Sequence, residues 1–334
     1  MNTLSHPTRK FPLLLRREFW EHKGGFFWAP LVAGGIFVLL SLMGFGVGEM
    51  AARRATGNFD VSGDGGVQIN GLDLSAITSN MDAEQIAHLG QGVDLSLLMA
   101  SAWPFIVLAF VVFFYCLGAL YDDRKDRSVL FWKSLPLSDS QTVLSKATSA
   151  LLIAPLIATV AALATMIGFL VVASAMVLLH GGNPIELLWG PGSPMLLVGE
   201  ILACIPMYAL WALPTVGWLL LCSAWARSKP FLWAVMIPVF TGIFVTWFDL
   251  MSAFDLAPGW FWNNIVGRAL LGTIPGGWLA ADGIEVDSPL GLVQALHPAN
   301  TYAALATPQL WIGVIAGVAM IFAAIRLRRW RDDS

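Results

Sequence analysis

A short charged stretch, residues 122–136, interrupts an otherwise apolar chain. Its sequence is DDRKDRSVLFWKSLP. Opposite charges recur four positions apart within it, as in Asp123 and Arg127, so a short helix would gather charges on one side. The apolar residues 129–132 follow, and a Leu-Pro step ends the segment. Ion-pairing groups beside aromatic rings predict a surface that contacts another protein. A solvated loop lying on lipid headgroups is the alternative interpretation.

Motifs for bond-making chemistry are missing from the sequence. No Lys follows a Gly, which excludes the P-loop pattern G-x-x-x-x-G-K-[ST] that holds nucleotide phosphates. The patterns H-E-x-x-H, G-x-S-x-G and G-x-G-x-x-G are also missing, and the five histidines are scattered along the chain. We therefore expect no catalytic residue, no metal site and no ATP hydrolysis by this chain alone.

Cysteines and intramembrane acids give no alternative chemistry. Cys116, Cys204 and Cys222 lie in apolar runs without C-x-x-C spacing, so we interpret them as small hydrophobic residues rather than disulfide partners or metal ligands. Glu200 and Asp249 stand near the outer ends of their apolar runs. We interpret them as acids that reach water, not as members of a proton relay.

The composition is that of an integral membrane protein. Hydrophobic residues make up 57% of the chain and charged residues 12%, and the mean hydropathy is +0.70. The apolar runs lack the alternation of barrel strands, and a membrane helix needs about 20 apolar residues. We predict an all-α fold in which residues 1–334 form one transmembrane domain. The predicted transmembrane helices are 25–47, 95–120, 142–179, 195–225, 231–249 and 307–325.

The positions of Lys and Arg predict the orientation. All but three of the 19 fall before the first run, near residues 124–146, in the turn at 226–230, or at the end of the chain. The exceptions are Arg53, Arg54 and Arg268, which share their loops with many acids. Since cytoplasmic flanks retain positive charge, both termini and the 122–136 segment are predicted to be cytoplasmic.

The segments outside the six runs have characters of their own. Residues 7–23 predict an amphipathic helix in the inner membrane interface, with a generic positive anchor as the alternative. Residues 48–94 predict an outer loop. Residues 250–305 predict a second outer loop that contains an interfacial or re-entrant helix. Ser138 and Gln141 have capping-box spacing and predict the start of the third transmembrane helix.

Several glycines carry predictions of their own. We expect a short helix at 82–89 to stop at Gly90. The sequences 44–48 and 313–317 both have G-x-x-x-G spacing, which permits close approach of two helices. That approach is expected within one subunit or at a dimer interface.

The chain resembles the permease subunits of type 2 ATP-binding cassette transporters. Members of that family have a basic amphipathic connecting helix before six spans, a charged coupling helix between the second and third spans, a Leu-Pro turn and then a Lys. The matching elements here are Arg16 to Lys23, Asp122 to Trp132, Leu135 to Ser138, and Ser145-Lys146. The residue before Ser128 departs from the pattern, because the family often has a Gly where this chain has Arg127.

The resemblance implies a non-catalytic exporter subunit in the bacterial cytoplasmic (inner) membrane, paired with a second permease as a homodimer or with a paralogue. ATP and Mg would be bound by a separate cytoplasmic ATPase subunit, and no cofactor by this chain. Lipid is the other partner, and no nucleic acid is expected. The expected ATPase contacts are Asp123, Arg124, Arg127, Phe131 and Trp132, supported by Arg17 and Glu21.

Aromatic stripes on the second and fifth runs are candidates for a substrate path, with helix packing or lipid contact as the alternative. The stripe residues are Phe110, Phe113, Phe114, Phe240, Phe244, Trp247 and Phe248. The nearly charge-free runs favour a hydrophobic or amphipathic substrate. Two other classes remain: a membrane-embedded enzyme, for which no convergent polar groups are found, and a membrane scaffold or sensor, which would need only the spans and loops.

Overall fold

A computed structural model describes residues 10–56, 81–125, 138–248, 250–254, 257, 259–281 and 289–331. Every regular element within these ranges is helical, as predicted. Six helical segments are long and apolar enough to cross a membrane, in agreement with the predicted number. They are Gly24–Ala51, Ala83–Lys125, Asp139–Leu179, Pro194–Trp225, Pro230–Trp247 and Pro308–Trp330, named here the first to sixth spans.

We number the α-helices in chain order. They are α1 (Lys10–Glu21), α2 (Ala29–Thr56), α3 (Ala83–Ala119), α4 (Tyr121–Lys125), α5 (Asp139–Thr148), α6 (Ala154–Leu179), α7 (Pro194–Trp225), α8 (Pro230–Trp247), α9 (Arg268–Leu270), α10 (Gly277–Ala281), α11 (Pro289–Ala295), α12 (Pro298–Ala303) and α13 (Pro308–Arg331). Wider π-helical turns precede α2, α6, α7 and α9 at Gly24–Trp28, Ser149–Ile153, Ile185–Trp189 and Trp262–Gly267. Short 3₁₀ turns lie at Ser252–Phe254 and Ala304–Ala306.

The core lies between four of the spans. Helices α3, α6, α7 and α13 contribute most of the buried apolar side chains, and α13 packs along α7. Helix α2 covers one side of α3 and α6, whereas α8 lies against α7 and leaves much of its surface exposed. Apolar surface outside the core is expected of helices that face lipid tails.

Helices α7 and α13 meet through glycines. A Cβ added to Gly217 would lie 2.6 Å from the carbonyl oxygen of Gly317, and a Cβ on Gly317 would lie 2.8 Å from the Leu213 carbonyl oxygen. The two backbones therefore touch, so the spacing at 313–317 serves packing within the chain. The glycines at 44–48 differ, because Cβ atoms there would meet nothing within 4 Å.

The start of the second span differs from the prediction. Helix α3 runs through Gly90 instead of stopping there, because this glycine is buried against the Pro191 carbonyl and leaves no room for a side chain. One turn later, the Asp94 carboxylate accepts hydrogen bonds from the Ser193 backbone N–H at 2.7 Å and the Ser193 hydroxyl at 2.6 Å. Asp94 therefore fixes the position of Ser193, the N-cap residue directly before α7.

Two local predictions have opposite outcomes. The capping box is confirmed, since the Ser138 hydroxyl accepts from the Gln141 N–H at 3.2 Å and α5 begins at Asp139. The expectation that Glu200 reaches water is wrong, because its exposed fraction is 4%. Helix α12 packs against α7 close to this acid, where the Tyr302 hydroxyl donates to the Ala203 carbonyl at 2.8 Å. Asp249 lies outside the described residues.

Candidate functional site

Hydrogen bonds connect α4, the first part of the 122–136 region, to the end of α7. Helix α4 follows α3 directly, and the buried Ser223 hydroxyl joins the two helices to α7. The hydroxyl oxygen accepts from the backbone N–H groups of Leu120 and Tyr121, both at 3.0 Å, and the hydroxyl donates to the Leu117 carbonyl at 2.7 Å. One serine thus satisfies backbone groups at a helix junction that would otherwise be unpaired.

Arg124 reinforces the same junction. Its guanidinium donates to the carbonyl oxygens of Ser223 and Ala226 at the end of α7, the latter at 3.0 Å, and to the Leu120 carbonyl at 3.3 Å. The last carbonyls of a helix lack partners in the helix and carry partial negative charge, so an arginine is a favourable group there. Arg124 therefore faces into the bundle.

A chain of five charged residues lies at this end of the bundle, and we name it the charge cluster: Glu18, Lys146, Asp123, Arg328 and Asp139. Lys146 Nζ is 3.2 Å from Glu18 Oε1 and 3.4 Å from Asp123 Oδ2. Arg328 Nη1 is 3.5 Å from Asp123 Oδ2, and Arg328 Nε is 3.2 Å from Asp139 Oδ1. Charges of opposite sign alternate, so each one has a compensating neighbour.

The charge cluster joins four different helices. Glu18 belongs to α1, Asp123 to α4, Lys146 and Asp139 to α5, and Arg328 to α13. The two innermost residues, Glu18 and Lys146, have exposed fractions of 0% and 1%. Because a buried charge that loses its partner is costly, these helices are held together at one point of the bundle.

Tyr115 adds a neutral hydrogen bond to the charge cluster. Its hydroxyl donates to Glu18 Oε2 at 2.8 Å, which ties α1 to α3. The rings of His22 and Phe26 pack against the Tyr115 ring, with centroids 4.7 and 4.9 Å away. This packing excludes water from the carboxylate and strengthens its interactions.

Three residues with metal-ligating side chains lie together at the end of α1 and directly after it. Glu18, Glu21 and His22 offer ligand atoms within 4.8 Å of one another. However, Glu18 already pairs with Lys146 at 3.2 Å, and Glu21 Oε1 accepts from Arg17 Nε at 2.7 Å. Both carboxylates are thus engaged by cationic side chains, and we interpret the group as part of an ion-pair network.

The predicted ATPase contacts divide into three groups. Asp123 and Arg124 turn inward and pair within the chain, while Arg17 and Glu21 pair with each other on the more exposed side of α1. Arg127, Phe131 and Trp132 lie outside the described residues. For all seven residues, contact with an ATPase stays a prediction. The exposed members of α4 are Asp122 and Lys125.

Sequence reasoning missed most of the charge cluster as a site. Glu18, Asp139, Lys146, Arg328 and their neighbour Tyr115 were not among the candidate residues, although one signal was present. Glu18 lies one helical turn after Leu14, on the face of α1 that is buried. A carboxylate on the apolar face of an amphipathic helix needs a buried partner.

The predicted aromatic stripes lie on the outside of the bundle. Phe113 is partly buried, and the other six residues have exposed fractions of 56% to 82%. Phe114 stacks on Phe231 of α8 with ring centroids 6.1 Å apart, and the ring centroids of Phe244 and Phe248 are 4.6 Å apart. These rings offer a surface to lipid or to another subunit.

An apolar cavity of 540 Å³ lies elsewhere, between α3, α6, α7 and the segment that follows α9. Its polar lining groups are few and include Ser101, Thr159, Cys204 and Tyr208. None of the seven stripe residues lines this cavity. Such a chamber is large enough for a small apolar or amphipathic molecule.

These findings assign the charged end of the bundle as the candidate site: a network that connects the 122–136 region to α1 and to three spans. Comparison with protein families, with curated proteins and with solved structures finds no match for this chain.

Proposed function

We propose that the chain is the transmembrane permease subunit of an ATP-driven exporter of the type 2 ATP-binding cassette class. ATP would be hydrolysed by a separate cytoplasmic subunit that docks on α1, α4 and the residues that follow α4. The observation that carries this proposal is the charge cluster, because it joins the predicted docking segment to α1, to the start of the third span and to the end of the sixth.

The charge cluster has a mechanical meaning under this proposal. Five charges buried or half-buried at one end of a membrane bundle are hard to explain as solubility groups, since surface charges serve that purpose without burial. A rigid junction would instead let a displacement of α4 move the third, fourth and sixth spans together, because packed helices transmit rigid-body motion. Arg124 and Ser223 extend the junction to α7.

The finer topology belongs to the same proposal. The Lys and Arg distribution favours cytoplasmic termini, with α1 in the inner interface of a bacterial cytoplasmic membrane and the helices between α8 and α13 on the outer side. A second permease would cover part of the exposed apolar surface of the bundle. The apolar cavity beside Cys204 and Tyr208 supports a hydrophobic or amphipathic cargo.

The test combines co-purification with docking variants. The tagged full-length chain is extracted from native membranes in a neutral detergent, and retained proteins are assayed for ATP hydrolysis and identified by mass spectrometry. The variant Arg127→Glu, Trp132→Ala should reduce the retained ATPase at least about tenfold, because Arg and Trp anchors dominate protein interfaces. Arg124→Glu is unsuitable, since it would break the bonds to α7 and unfold the junction.

Arg329→Glu is the matched control. It reverses an exposed charge on α13 near the charge cluster but outside the docking segment, and it should retain the ATPase at the wild-type level. Wild-type protein that retains no ATPase under these conditions would contradict the proposal and favour the scaffold or sensor alternative. Equal retention by the docking variant would remove residues 127 and 132 from the interface.

A further inference from the structure

A buried arginine lies far from the charge cluster, in the segment between the fifth and sixth spans. Arg268 begins α9, and its exposed fraction is 8%. The Thr215 hydroxyl donates to its backbone carbonyl, which fixes α9 against α7. Its guanidinium lies near the start of α13, whose other end carries Arg328.

The guanidinium is only partly satisfied. Nη1 donates to the Gln309 carbonyl at 2.8 Å, and the group lies over the Trp211 ring with Cζ 3.9 Å from the centroid. Nε and Nη2 are buried and have no hydrogen-bond partner among the residues that the structure describes. Within the same residues, no carboxylate pairs with Arg268.

This arrangement is costly unless something else accepts from the free edge. Burial lowers the pKa of Arg268, but an arginine titrates so far above neutrality that it stays cationic. Buried donors nearly always have a partner, and an uncompensated buried charge is strongly unfavourable. Nε and Nη2 form one edge of the planar fork, which is the geometry that binds two oxygens of a phosphate or carboxylate.

Two cavities meet at this residue. One, of 820 Å³, is lined by Arg268 together with the polar side chains Asn263, Asn264 and Gln309. The other, of 390 Å³, is almost wholly apolar and reaches Pro214 and Ile312 between α7, α8 and α13. Asn264, Arg268 and Gln309 line both cavities, so the polar and the apolar space are adjacent at this residue.

The neighbouring helix leaves room for the cation. A Cβ added to Gly313 would lie 2.7 Å from Arg268 Nη2 and 2.8 Å from Cζ. Any side chain at this position would displace the guanidinium. The second predicted G-x-x-x-G sequence thus serves two purposes, with Gly317 allowing helix contact and Gly313 accommodating Arg268.

We propose that Arg268 is the centre of a binding site for an anionic amphiphile. The phosphate or carboxylate of the ligand enters the larger cavity and accepts hydrogen bonds from Nε and Nη2 after the guanidinium turns this edge away from Gly313. The hydrocarbon chain of the ligand occupies the apolar cavity beside α8 and α13. The proposal concerns binding alone and holds whether or not the chain is a transporter subunit.

Native mass spectrometry of the full-length protein in a neutral detergent tests this site. The protein is titrated with phosphatidic acid, with phosphatidylcholine of the same acyl chains, and with inorganic phosphate. The wild-type protein should bind phosphatidic acid at least about tenfold more tightly than phosphatidylcholine or inorganic phosphate, because the site recognises both a net negative charge and an acyl chain. Equal affinity for inorganic phosphate would overturn the assignment of an amphiphile.

Variants localise the binding. Arg268→Gln should abolish the preference for phosphatidic acid, and Arg227→Gln, which neutralises an exposed arginine in the turn before α8, should leave it unchanged. Asn264→Asp keeps Arg268 and places a negative charge one helical turn from it, so this variant should weaken the binding of phosphatidic acid. It therefore tests the site independently if Arg268→Gln fails to fold. Unaltered binding in Asn264→Asp or in a folded Arg268→Gln would refute the site.

Discussion

Lys146 holds two carboxylates from different helices, Glu18 at 3.2 Å and Asp123 at 3.4 Å, while its own exposed fraction is 1%. A buried charge without a partner would be strongly unfavourable in such a place. Here the two acids compensate the charge of Lys146, and Tyr115 satisfies a further oxygen of Glu18. The stability of this end of the protein therefore depends on single side chains.

We expect Lys146→Met to lower the free energy of unfolding by about 3–5 kcal/mol, because it leaves Glu18 buried without its cation. The measurement is the midpoint of thermal unfolding in a neutral detergent. Lys125→Met, which removes an exposed lysine from α4, should change the midpoint little.

The double variant Glu18→Gln, Lys146→Met separates loss of charge balance from loss of packing. Its loss of unfolding free energy should be smaller than the sum of the losses in the two single variants, since neither charge is left alone. Additive losses would contradict a direct interaction between the two residues.

Distance along the chain explains which residues the sequence could not connect. Glu18 and Lys146 are separated by 128 positions, and Arg328 pairs with an acid 189 positions away. Each belongs to a helix that could be predicted from local pattern, but the pairing depends on how the helices pack. Arg268 was visible as an exception among the basic residues, and its burial depends on α7 and α13 in the same way.

At the scale of helices, α7 and α13 approach most closely where backbone atoms touch. No side chain separates Gly217 from Gly317, and Leu213 and Pro214 lie against the same point. Two backbones in contact form a close-packed interface that side chains cannot adjust. Glycine at these positions is therefore required by space and not by backbone conformation.

Gly217→Ala is expected to destabilise the protein by about 1–3 kcal/mol, because the added methyl group has no space and the backbone of Gly317 cannot withdraw. Gly199→Ala is the matched control on the same helix, where a Cβ meets nothing within 4 Å. In the control variant, the free energy of unfolding should rise by about 0.5–1 kcal/mol, since alanine favours a helix more than glycine does.

Thermal unfolding midpoints of the two variants measure the difference. Equal midpoints for Gly217→Ala and Gly199→Ala would show that α7 and α13 are not in contact in the protein.

Helix boundaries show where local signals suffice. The start of α5 could be predicted because Ser138 and Gln141 form a capping box within four residues. The passage of α3 through Gly90 could not, because the reason is the Pro191 carbonyl on a distant turn. The sequence alone does not show whether a glycine ends a helix or allows another segment to pack closely against it.

At the scale of the whole molecule, the bundle has a charged end and an apolar cavity that opens at its surface. The charge cluster lies at one end of the bundle, and the apolar cavity lies between α3, α6 and α7. The three cysteines distinguish the cavity from the core: Cys116 and Cys222 are buried in the core, and Cys204 lines the cavity.

We predict that N-ethylmaleimide labels Cys204 at least about tenfold faster than Cys116 or Cys222 in the folded protein, since thiol reactivity requires access. Peptide mass spectrometry after timed labelling measures the three rates. Cys204→Ser should remove the fast phase, and denaturation in SDS should make all remaining thiols react. Equal rates for Cys116 and Cys204 in the folded protein would contradict an accessible cavity.

Helix α13 contributes to the surroundings of Arg268 and to the charge cluster. Helix α13 supplies Gly313 and the Gln309 carbonyl beside Arg268, and it supplies Arg328 to the charge cluster. During synthesis, the first five spans therefore enter the membrane with Asp123, Asp139 and Arg268 still lacking these neighbours. The charge cluster and the surroundings of Arg268 therefore reach their native arrangement only after α13 has been inserted, and until then a cellular protease that surveys nascent membrane proteins would find them exposed.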